Sequence, residues 1–303
     1  MLLTRIGPIC DGTAMHTYII NMDSAVDRWE YVRSHYERTG ISFSRVSAVV
    51  GKKLPFPIPE YDEARYRRIH GQRTNPGAVG CYMSHLDCYH RFLQSGDPWA
   101  IIAEDDSCPA SNLRRIVDAA LEYSDHFDLL RLCGFHNPHP LPVASLFGPY
   151  QLAVCTTRLC GTGAYLLSRH AAQVFLKRLI PMVLPIDHAI DREWTIGLRS
   201  LAVIPLPVGQ TDHQFGTTIG YQTPYKLPWY RRYWTVFPFR LANETTRIVY
   251  RMQQYRSLRK KLGQKRTPGE RYRGDLGETP SVALPLASLP SDDIQIHPTR
   301  KGA

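Results

Sequence analysis

The sequence predicts an α/β fold in which helices flank a mostly parallel sheet. Strand-like and helix-like segments alternate along the chain, as they do when crossover helices connect parallel strands. The run at 99–103 is short and continuously apolar, which is typical of a strand buried on both faces. The 303 residues include 43% hydrophobic and 21% charged side chains, the composition of a globular protein with one large or two small domains.

Each predicted element follows from its local pattern. Runs of β-branched and aromatic residues bounded by turn residues predict strands, and apolar residues spaced three and four apart predict helices. Met83, Leu86 and Tyr89 show the helical spacing, and Gly40 follows the first predicted helix as a stop signal. In chain order the elements are a strand at 17–22, a helix at 26–39, a strand at 41–50, a helix at 79–94, a strand at 99–103, a helix at 112–122, strands at 128–133 and 153–158, helices at 168–179 and 185–198, a strand at 201–207 and a helix at 240–262.

The positive charge of the chain is concentrated near its C-terminus. Lys and Arg outnumber Asp and Glu by 14 to two in residues 226–273, while the rest of the chain carries 23 basic and 25 acidic residues. This contrast predicts a near-neutral folded body at 15–225 and a basic segment whose partner is anionic. Residues 1–14 are interpreted as an N-terminal extension, and residues 274–303 as a flexible tail.

The basic segment is expected to hold a basic amphipathic C-terminal helix that associates with a membrane. Leu241, Ile248, Tyr255 and Leu262 lie seven residues apart in it, and the stretch 225–239 is rich in Trp, Tyr and Phe. Such side chains settle at membrane–water interfaces, so we expect peripheral attachment to an anionic membrane surface. The alternative is that this helix packs on the folded body.

Other features of the sequence indicate in which cellular compartment the protein is located. No stretch approaches the about 18 to 20 uncharged apolar residues of a membrane span, and the first residues lack the apolar run of a signal peptide. The seven cysteines show no zinc-type spacing, which is typical of a reducing environment. We therefore expect a cytoplasmic protein.

The most informative segment is an apolar strand that ends in three acids, Glu104, Asp105 and Asp106. In an open α/β sheet the ligand crevice lies beyond the carboxyl ends of the strands, so these carboxylates are expected at its mouth. Crowded carboxylates favour a divalent cation such as Mn²⁺ or Mg²⁺. If the strand continues through them, Glu104 and Asp106 share one side and Asp105 faces the other. The alternative is a solvated acidic turn.

Several separate segments carry motifs in a fixed order. They are the opening strand 18–22 with Asp27 and Arg28, the Cys-x-Met-Ser-His helix at 81–85, the Glu-Asp-Asp motif at 104–106, the Cys-Gly-Thr segment at 160–165, the Asp motif at 185–187 and the closing strand at 207–210. Together they resemble the bacterial lipopolysaccharide glycosyltransferases grouped as family 25, which include β-1,4-galactosyltransferases. The similarity covers roughly residues 16–220.

The resemblance implies a GT-A-like, Rossmann-type catalytic domain at 15–225 and a metal-dependent nucleotide-sugar hexosyltransferase. The expected reaction moves galactose from a UDP-sugar, with inversion and in β-1,4 linkage, to a terminal sugar of lipopolysaccharide or lipo-oligosaccharide. The partners implied are the UDP-sugar donor, a lipid-linked oligosaccharide acceptor and an anionic membrane surface. The expected location is the cytoplasmic face of the inner membrane, where the protein is peripheral.

The metal and the base are assigned to different acids. Asp106 and Glu104 are the expected ligands of Mn²⁺ or Mg²⁺, with His213 as a late ligand. Inverting transfer also needs a base that takes the proton of the acceptor hydroxyl, and Asp187 is the leading candidate. Asp191 lies four residues on and shares its helical face, so it could orient or replace Asp187. Alternatively, either is a helix-start acid favoured by the dipole.

Ten residues are assigned to the donor, each with a structural alternative. Arg28 could pair with the diphosphate or lie on the surface, and His85 could bind a substrate or be a satisfied core histidine. Ser84 has the same two interpretations, and a glycine pair around Thr162 is weak evidence by itself. The expected donor-binding residues are Asn21, Arg28, Ser84, His85, Glu104, Asp105, Gly161, Thr162, Gly163 and Gln210.

Two other functions compete with transfer. Nucleic-acid binding through the basic segment would explain the positive charge, but it leaves the acids of the 104–106 motif unexplained. No recognised nucleic-acid motif accompanies the basic segment, so no nucleic-acid partner is expected. A metal-dependent phosphodiester hydrolase would normally need more clustered acids and histidines than the sequence provides. Donor hydrolysis without transfer would favour the hydrolase.

Overall fold

The computed structural model describes residues 15–135, 138–210 and 225–263. These residues fall within one compact unit. The predicted extension at 1–14, the candidate ligand His213 and the predicted tail at 274–303 lie outside them. No helix among the described residues is long and apolar enough to span a membrane.

A mixed eight-stranded sheet forms the centre of the described structure. The strands are β1 (Met15–Asn21), β2 (Ser42–Ser47), β3 (Trp99–Glu104), β4 (Ser107–Pro109), β5 (Leu129–Arg131), β6 (Pro140–Ser145), β7 (Gln151–Cys155), β8 (Ala164–Ser168), β9 (Ser200–Ile204) and β10 (Val208–Gln210). Their order in the large sheet is β2-β1-β3-β8-β5-β9-β7-β6. β4 and β10 form a separate antiparallel pair.

The predicted α/β class is confirmed, and the sheet is mostly parallel in strand direction. β7 and β8 run opposite to the other six strands of the large sheet. Because β8 lies between β3 and β5, and β7 between β9 and β6, four of the seven neighbouring pairs are antiparallel. The three parallel pairs are β1–β2, β1–β3 and β5–β9.

Helices cover the sheet, and their ends carry ordinary stop and start signals. In α3 the Asn75 side chain accepts a hydrogen bond from the Gly77 N–H, Pro76 occupies the first turn, and Gly96 ends the helix with φ 87°. The helices are α1 (Val26–Glu37), α2 (Glu63–Ile69), α3 (Pro76–Ser95), α4 (Leu113–Leu121), α5 (Arg169–Arg178), α6 (Ile186–Ile190) and α7 (Trp229–Gly263), with short 3₁₀ turns at Gly51–Lys53, Ser124–His126 and Glu193–Ile196.

Both faces of β3 are buried, as its continuous apolar run predicted. Ile102 belongs to the core cluster that includes Tyr82 of α3 and Phe175 of α5. Ile101 belongs to a second cluster that includes Val32 of α1 and residues of α4. The sheet is therefore covered by helices on two sides, and the end of β3 emerges between them.

Three local differences from the predicted elements have physical reasons. The helix expected at 185–198 is interrupted, because α6 ends at Ile190 and a 3₁₀ turn follows it. β6 was not predicted, since it contains Pro140 and Pro142, and prolines are tolerated there because β6 is an edge strand. α2 was not predicted either, although Asp62 caps it by accepting from the Arg65 N–H.

The C-terminal helix begins earlier than predicted and has two different faces. α7 starts at Trp229, so the aromatic stretch lies within it, together with Pro238. One face packs on the body through side chains at most 9% exposed, namely Val236, Arg247, Arg251, Leu258 and Leu262. The other face exposes Trp229, Tyr230, Tyr233, Trp234, Phe237, Leu241, Ile248 and Val249.

The predicted apolar stripe of this helix is divided between its two faces. Leu262 is buried, but Leu241 and Ile248 are 69% and 47% exposed. The buried face is built around arginines instead, since Arg251 Nη2 lies 2.5 Å from Glu193 Oε1 and Arg251 Nη1 donates to a β9 carbonyl. The alternative of a helix packed on the body holds for this face, whereas the aromatic face is exposed.

Candidate active site

The carboxyl ends of β1 and β3 bring predicted donor-site residues into direct contact. The two strands are parallel neighbours, and Ile20 pairs with Glu104 in register, so the residues after each strand emerge at the same edge. Asn21 Nδ2 donates to Asp105 Oδ2 at 2.8 Å. Arg28 Nη2 lies 2.6 Å from Asp105 Oδ1. Asp105 is thus held by an amide and a guanidinium from the start of the chain.

The acidic motif forms a turn at the end of the strand. β3 ends at Glu104, and Ser107 Oγ donates to the Glu104 carbonyl at 2.6 Å. Asp105 and Asp106 both approach Arg28, whose Nη2 lies 3.8 Å from Asp106 Oδ2. The alternation expected for a strand that continues through the acids does not apply, because β3 ends at Glu104.

Glu104 is held as a charged carboxylate. Thr162 Oγ1 donates to Glu104 Oε1, and His85 Nε2 lies 3.4 Å from the same oxygen. Burial alone would raise the pKa of Glu104, but the hydrogen bonds from His85 and Thr162 and the charge of Arg28 bring that pKa below its ordinary value. The strand end therefore carries a fixed negative charge.

Asp106 has the opposite pKa shift. Burial and, next, the negative charge of Glu104 raise the pKa of Asp106 to about 7. Gln210 Nε2 donates to Asp106 Oδ1 at 3.4 Å, whereas Gln210 Oε1 is buried with no hydrogen-bond partner among the described residues. This position favours the gain of a positive charge, either a proton or a cation.

The loop 160–163 lies directly against the acidic edge because two of its residues are glycines. Glu104 N–H donates to the Gly163 carbonyl at 3.0 Å. A Cβ on Gly163 would lie 2.6 Å from Gln210 Nε2. Gly161 has φ 71°, and a Cβ there would lie 2.7 Å from the Phe135 ring. Glycine is therefore required at 161 by its positive φ, and a side chain at 163 would displace the Gln210 side chain from the acidic edge.

The oxygen atoms of this edge fit a hard divalent cation. Carboxylate and amide oxygens, as in Asp106 and Gln210, are ligand types that Mg²⁺ and Mn²⁺ prefer, and the raised pKa of Asp106 marks excess negative charge. A different set of donor atoms, from Cys81, His85 and Glu104, lies within 4.8 Å of one another. Asp106 is not in that set, so the two predicted ligands Glu104 and Asp106 are not gathered in it.

α3 contributes two side chains that are fully buried. Ser84 Oγ accepts from the Val49 N–H at 2.8 Å and donates to a carbonyl one turn earlier in α3. His85 Nδ1 lies 2.8 Å from the Tyr165 hydroxyl oxygen. Both residues have 0% exposure, so these contacts favour the core interpretation over direct contact with a substrate. His85 positions the carboxylate of Glu104.

Asp187 lies in the first turn of α6, beside the beginning of the 160–163 loop. Donor atoms of Cys160, Asp187 and His188 lie within 4.8 Å of one another, and His188 Nε2 is 4.0 Å from Asp187 Oδ2. The Asp187 side chain is 18% exposed, and its Oδ1 is buried with no hydrogen-bond partner among the described residues. A carboxylate with one oxygen that accepts no hydrogen bond has the chemistry of a general base.

Asp191 differs from Asp187, because both of its carboxylate oxygens have partners within the protein. Arg131 Nη1 lies 2.6 Å from Asp191 Oδ1, and the Cys160 N–H donates to Asp191 Oδ2 at 2.9 Å. Arg131 Nη2 also donates to the carbonyls of Cys160 and Gly161. Burial would raise the pKa of Asp191, but Arg131 and the Cys160 N–H bring it below its ordinary value. The pair therefore positions the loop that carries Thr162.

The N-terminal part of the chain is similar to a known protein family. The model described as "Glycosyltransferase family 25 (LPS biosynthesis protein)" matches residues 14–141. The resemblance to glycosyltransferase family 25 is confirmed. The matched segment of family 25 includes β1, α3 and the acidic motif, whereas the 160–163 loop, Asp187 and Gln210 lie beyond it.

The curated relatives are similar over part of their length. The chain is 25% identical over 191 residues to Lacto-N-neotetraose biosynthesis glycosyltransferase LgtB of Neisseria gonorrhoeae, which covers 58% of this chain and 65% of that protein. It is 24% identical over 175 residues to LgtE of the same organism, covering 54% and 60%. A "Glycosyltransferase 25 family member" of Anopheles gambiae is 24% identical over 100 residues, covering 30% and 16%.

A solved structure titled as a glycosyltransferase involved in the glycosylation of the major capsid of PBCV-1 is also similar. It covers 62% of this chain and 80% of that chain at 9% identity, with a TM-score of 0.33. No conclusion about this chain rests on a TM-score of that size.

Two residues important for the geometry were not identified from the sequence. Arg131 fixes the 160–163 loop, and Tyr165 holds His85. Arg131 stands within the apolar run 129–132, and a charged residue in such a run indicates a buried partner. Tyr165 was part of the family motif, but nothing in its spacing indicated a hydrogen bond to α3.

Proposed function

We propose that this chain is a nucleotide-sugar hexosyltransferase that extends the terminal sugar of lipopolysaccharide or lipo-oligosaccharide. The family 25 model and the names of the relatives support this class of reaction. The observation that carries the proposal is the acidic edge at β1 and β3, where Asp106 has a pKa raised to about 7. An excess of negative charge in a buried site favours binding of a divalent cation, and that cation can in turn bind the diphosphate of a donor.

Asp106 and the Gln210 amide oxygen are the proposed ligands of Mn²⁺ or Mg²⁺. When bound, such an ion acts as a Lewis acid that stabilises the negative charge of a diphosphate leaving group. Glu104 supplies a fixed negative charge behind them. Arg28, at the same edge, is placed to exchange its contact with Asp105 for a donor phosphate, because guanidinium groups bind both carboxylates and phosphates.

Asp187 is the proposed base that removes the proton of the acceptor hydroxyl. It has an unused oxygen and partial access to solvent, and the 160–163 loop connects it to the acidic edge through Cys160 and Thr162. Asp191 is assigned to positioning of this loop. We propose a GT-A-like catalytic domain at 15–225 with inversion at the anomeric carbon, and galactose from UDP-galactose in β-1,4 linkage as the first donor and linkage to test.

Transfer assays with Asp106 and Asp187 variants test this proposal. The protein is incubated with a panel of UDP-sugars, Mn²⁺ and acceptors that end in glucose or N-acetylglucosamine, and products are detected by mass. Asp106→Asn should abolish turnover. Asp187→Asn should keep donor binding and lose transfer by about 10²- to 10⁴-fold. Asp118→Asn, whose side chain is 40% exposed on α4, is the matched control and should behave as the unaltered protein.

Transfer retained by either active-site variant would remove that residue from its proposed role. UDP-sugar hydrolysis without acceptor transfer would favour the hydrolase function. Absence of turnover with every UDP-sugar in the panel would argue against a UDP-sugar donor.

We further propose that the aromatic face of α7 attaches the protein to an anionic membrane, in line with a lipid-linked acceptor and a location at the cytoplasmic face of the inner membrane. Trp229 and Trp234 are 75% and 79% exposed, and Lys260 and Lys261 lie near the end of the same helix. Residues 226–273 thus serve as a membrane-association segment in this proposal.

Sedimentation with vesicles that contain phosphatidylglycerol tests the attachment. Trp229→Ser with Trp234→Ser should weaken vesicle binding about tenfold or more, because two large side chains no longer enter the interface. Val26→Ser changes another apolar side chain, 56% exposed on α1, and should leave binding unchanged. Equal binding by all three proteins, or tighter binding to RNA than to vesicles, would contradict the attachment.

A further inference from the structure

A cleft between α2, α6 and α7 is lined by arginines and lies outside the acidic edge. It encloses about 370 Å³, part of which is open to solvent. Its side chains come from the end of α2, from the residues after α6 and from the buried side of α7. The arginines that line it are Arg158, Arg192, Arg240 and Arg247.

The acids that line this cleft are already engaged. Glu244 is shared by two arginines, since Arg158 Nε lies 3.4 Å from Glu244 Oε1 and Arg247 Nη1 lies 2.5 Å from Glu244 Oε2. Asp191 is held by Arg131 beneath the 160–163 loop. The cleft therefore carries more guanidinium groups than its carboxylates can neutralise.

Arg192 and Arg240 form no ion pair within 4.0 Å of a carboxylate among the described residues, although the charge of Glu244 offsets part of the repulsion at Arg240. Arg192 Nε donates to Asn243 Oδ1 at 2.7 Å, and its guanidinium lies 5.0 Å from the centre of the Phe239 ring. These neutral contacts orient Arg192 without neutralising its charge. A guanidinium that is oriented but not neutralised is prepared for an anion.

The electrostatics of the cleft agree with an excess of positive charge. Burial and then the charges of Arg232 and Arg158 lower the pKa of Arg240. Burial and then Arg247 lower the pKa of Arg192. A bound anion would offset both the burial and the repulsion between arginines.

The position of the cleft connects it with the proposed acceptor end of the active site. His188 lines the cleft and lies 4.0 Å from Asp187, the proposed base. Phe237 lies three residues before Arg240 and Leu241 directly after it, and they are 54% and 69% exposed on the aromatic face of α7. An anion in this cleft would therefore lie between the acceptor site and the surface proposed to face a membrane.

We propose that the arginine cleft binds a phosphate group, carried by the acceptor molecule or by a lipid headgroup. The planar guanidinium groups of Arg192 and Arg240 match a phosphate oxygen pair, and Glu244 limits the affinity by neutralising Arg158 and Arg247. Phosphate binding at this site does not require transferase activity, so it stands or falls separately from the proposed reaction.

Calorimetric titration with inorganic phosphate, in EDTA to remove metal-dependent binding at the acidic edge, tests the site. Arg192→Gln with Arg240→Gln should weaken phosphate binding about tenfold or more. Arg256→Gln, an exposed arginine of the same helix, is the matched control and should bind as the unaltered protein. Glu244→Gln should bind phosphate several-fold more tightly, because it frees two guanidinium groups. A merely structural cleft would not gain affinity in this variant.

The source of the phosphate is distinguished by vesicles that contain phosphatidic acid. Weaker vesicle binding by the double variant supports a lipid headgroup. Unchanged vesicle binding together with weakened inorganic phosphate binding supports a phosphate on the acceptor. The proposal is overturned if the protein does not bind phosphate, if Arg240→Gln alone and the double variant bind it unchanged while remaining folded, or if Glu244→Gln weakens binding.

Discussion

Asp106 and Asp191 are both largely buried aspartates, yet their surroundings shift their pKa values in opposite directions. At the acidic edge, burial and Glu104 raise the pKa of Asp106 to about 7. Beneath the 160–163 loop, Arg131 and a backbone N–H outweigh burial and lower the pKa of Asp191. Asp106 has an excess of negative charge around it although Arg28 lies 3.8 Å away, whereas the charge of Asp191 is neutralised by Arg131.

The difference shows that counter-charges, rather than burial, separate the two roles. Asp191 is neutralised by Arg131, so adding a cation there would displace an existing partner. Asp106 gains from a cation because Glu104 repels it. The sequence placed Asp106 in the Glu-Asp-Asp motif and Asp191 four residues after Asp187, and Asp191 remained a candidate base until its partner was known.

The largest effect is expected when the paired region loses its arginine. Arg131→Met leaves Asp191 buried without its counter-charge and releases the carbonyls of Cys160 and Gly161. We expect the free energy of unfolding to fall by about 3–5 kcal/mol, measured by urea denaturation. Transfer activity should fall as well, since Thr162 is no longer positioned.

A partly exposed ion pair provides the control for that variant. Arg33 Nη1 lies 2.8 Å from Glu37 Oε1 on α1, and the two side chains are 49% and 52% exposed. Arg33→Met should cost about 1 kcal/mol or less, because solvent screens this pair. Equal losses in the two variants would break the comparison, since Arg131 would then be no more important than a surface arginine.

The next largest effect is expected at Asp106, at the acidic edge. Asp106→Asn removes a charge that the folded protein disfavours, so in EDTA at pH 8 the variant should be more stable by about 1–3 kcal/mol. The same variant should lose stabilisation by Mn²⁺, because a carboxylate ligand is gone. Thermal unfolding with and without Mn²⁺ measures both changes.

The pH dependence of that variant has a definite sign. The folded pKa of Asp106, about 7, is above its ordinary value near 3.9, so the protonated carboxyl stabilises the fold at low pH. This stabilisation is present below about pH 4 and is lost as the pH rises to about 7. The advantage of Asp106→Asn should therefore grow between those values and stay constant above them. An advantage that shrinks as pH rises would contradict the raised pKa.

Metal affinity should follow the same titration. Since protons and Mn²⁺ compete for Asp106, affinity should rise about tenfold per pH unit up to about pH 7 and then level off. Calorimetry at pH 5.5, 6.5 and 7.5 measures this rise. A flat profile would show that Asp106 does not hold the ion.

The sequence predicted the edge of the sheet better than the contacts at that edge. The apolar run that ends in acid was enough to predict β3 and the position of Glu104, because parallel strands end at one edge. The turn at Asp105 and Asp106 was only an alternative interpretation, since it depends on Ser107 bonding back to the strand end. A local side-chain hydrogen bond of this kind leaves no periodic signal.

Long-range pairing explains the other differences. Arg131 and Asp191 are 60 positions apart, and spacing arguments relate only residues close in sequence. In α7 the spacing of Leu241, Ile248 and Leu262 predicted one apolar stripe, but only Leu262 packs on the body, where Arg251 lies beside it and pairs with Glu193. The packed face therefore depends on an acid 58 positions away in the chain, which periodicity does not consider.

The smallest effect tests whether the side-chain amide of Gln210 helps to hold the Mn²⁺ ion proposed at Asp106. In Gly163→Ala the added methyl group would lie 2.6 Å from Gln210 Nε2, and the flexible amide can move away at little cost to the fold. Stability should therefore change by less than about 1 kcal/mol, while Mn²⁺ affinity should fall several-fold as the amide oxygen leaves the site. Gly209→Ala is the matched control, because its Cβ would approach nothing closer than the Cys108 carbonyl at 3.9 Å. If both alanine variants bind Mn²⁺ equally, the ion depends on the carboxylate alone and the amide has no part in holding it.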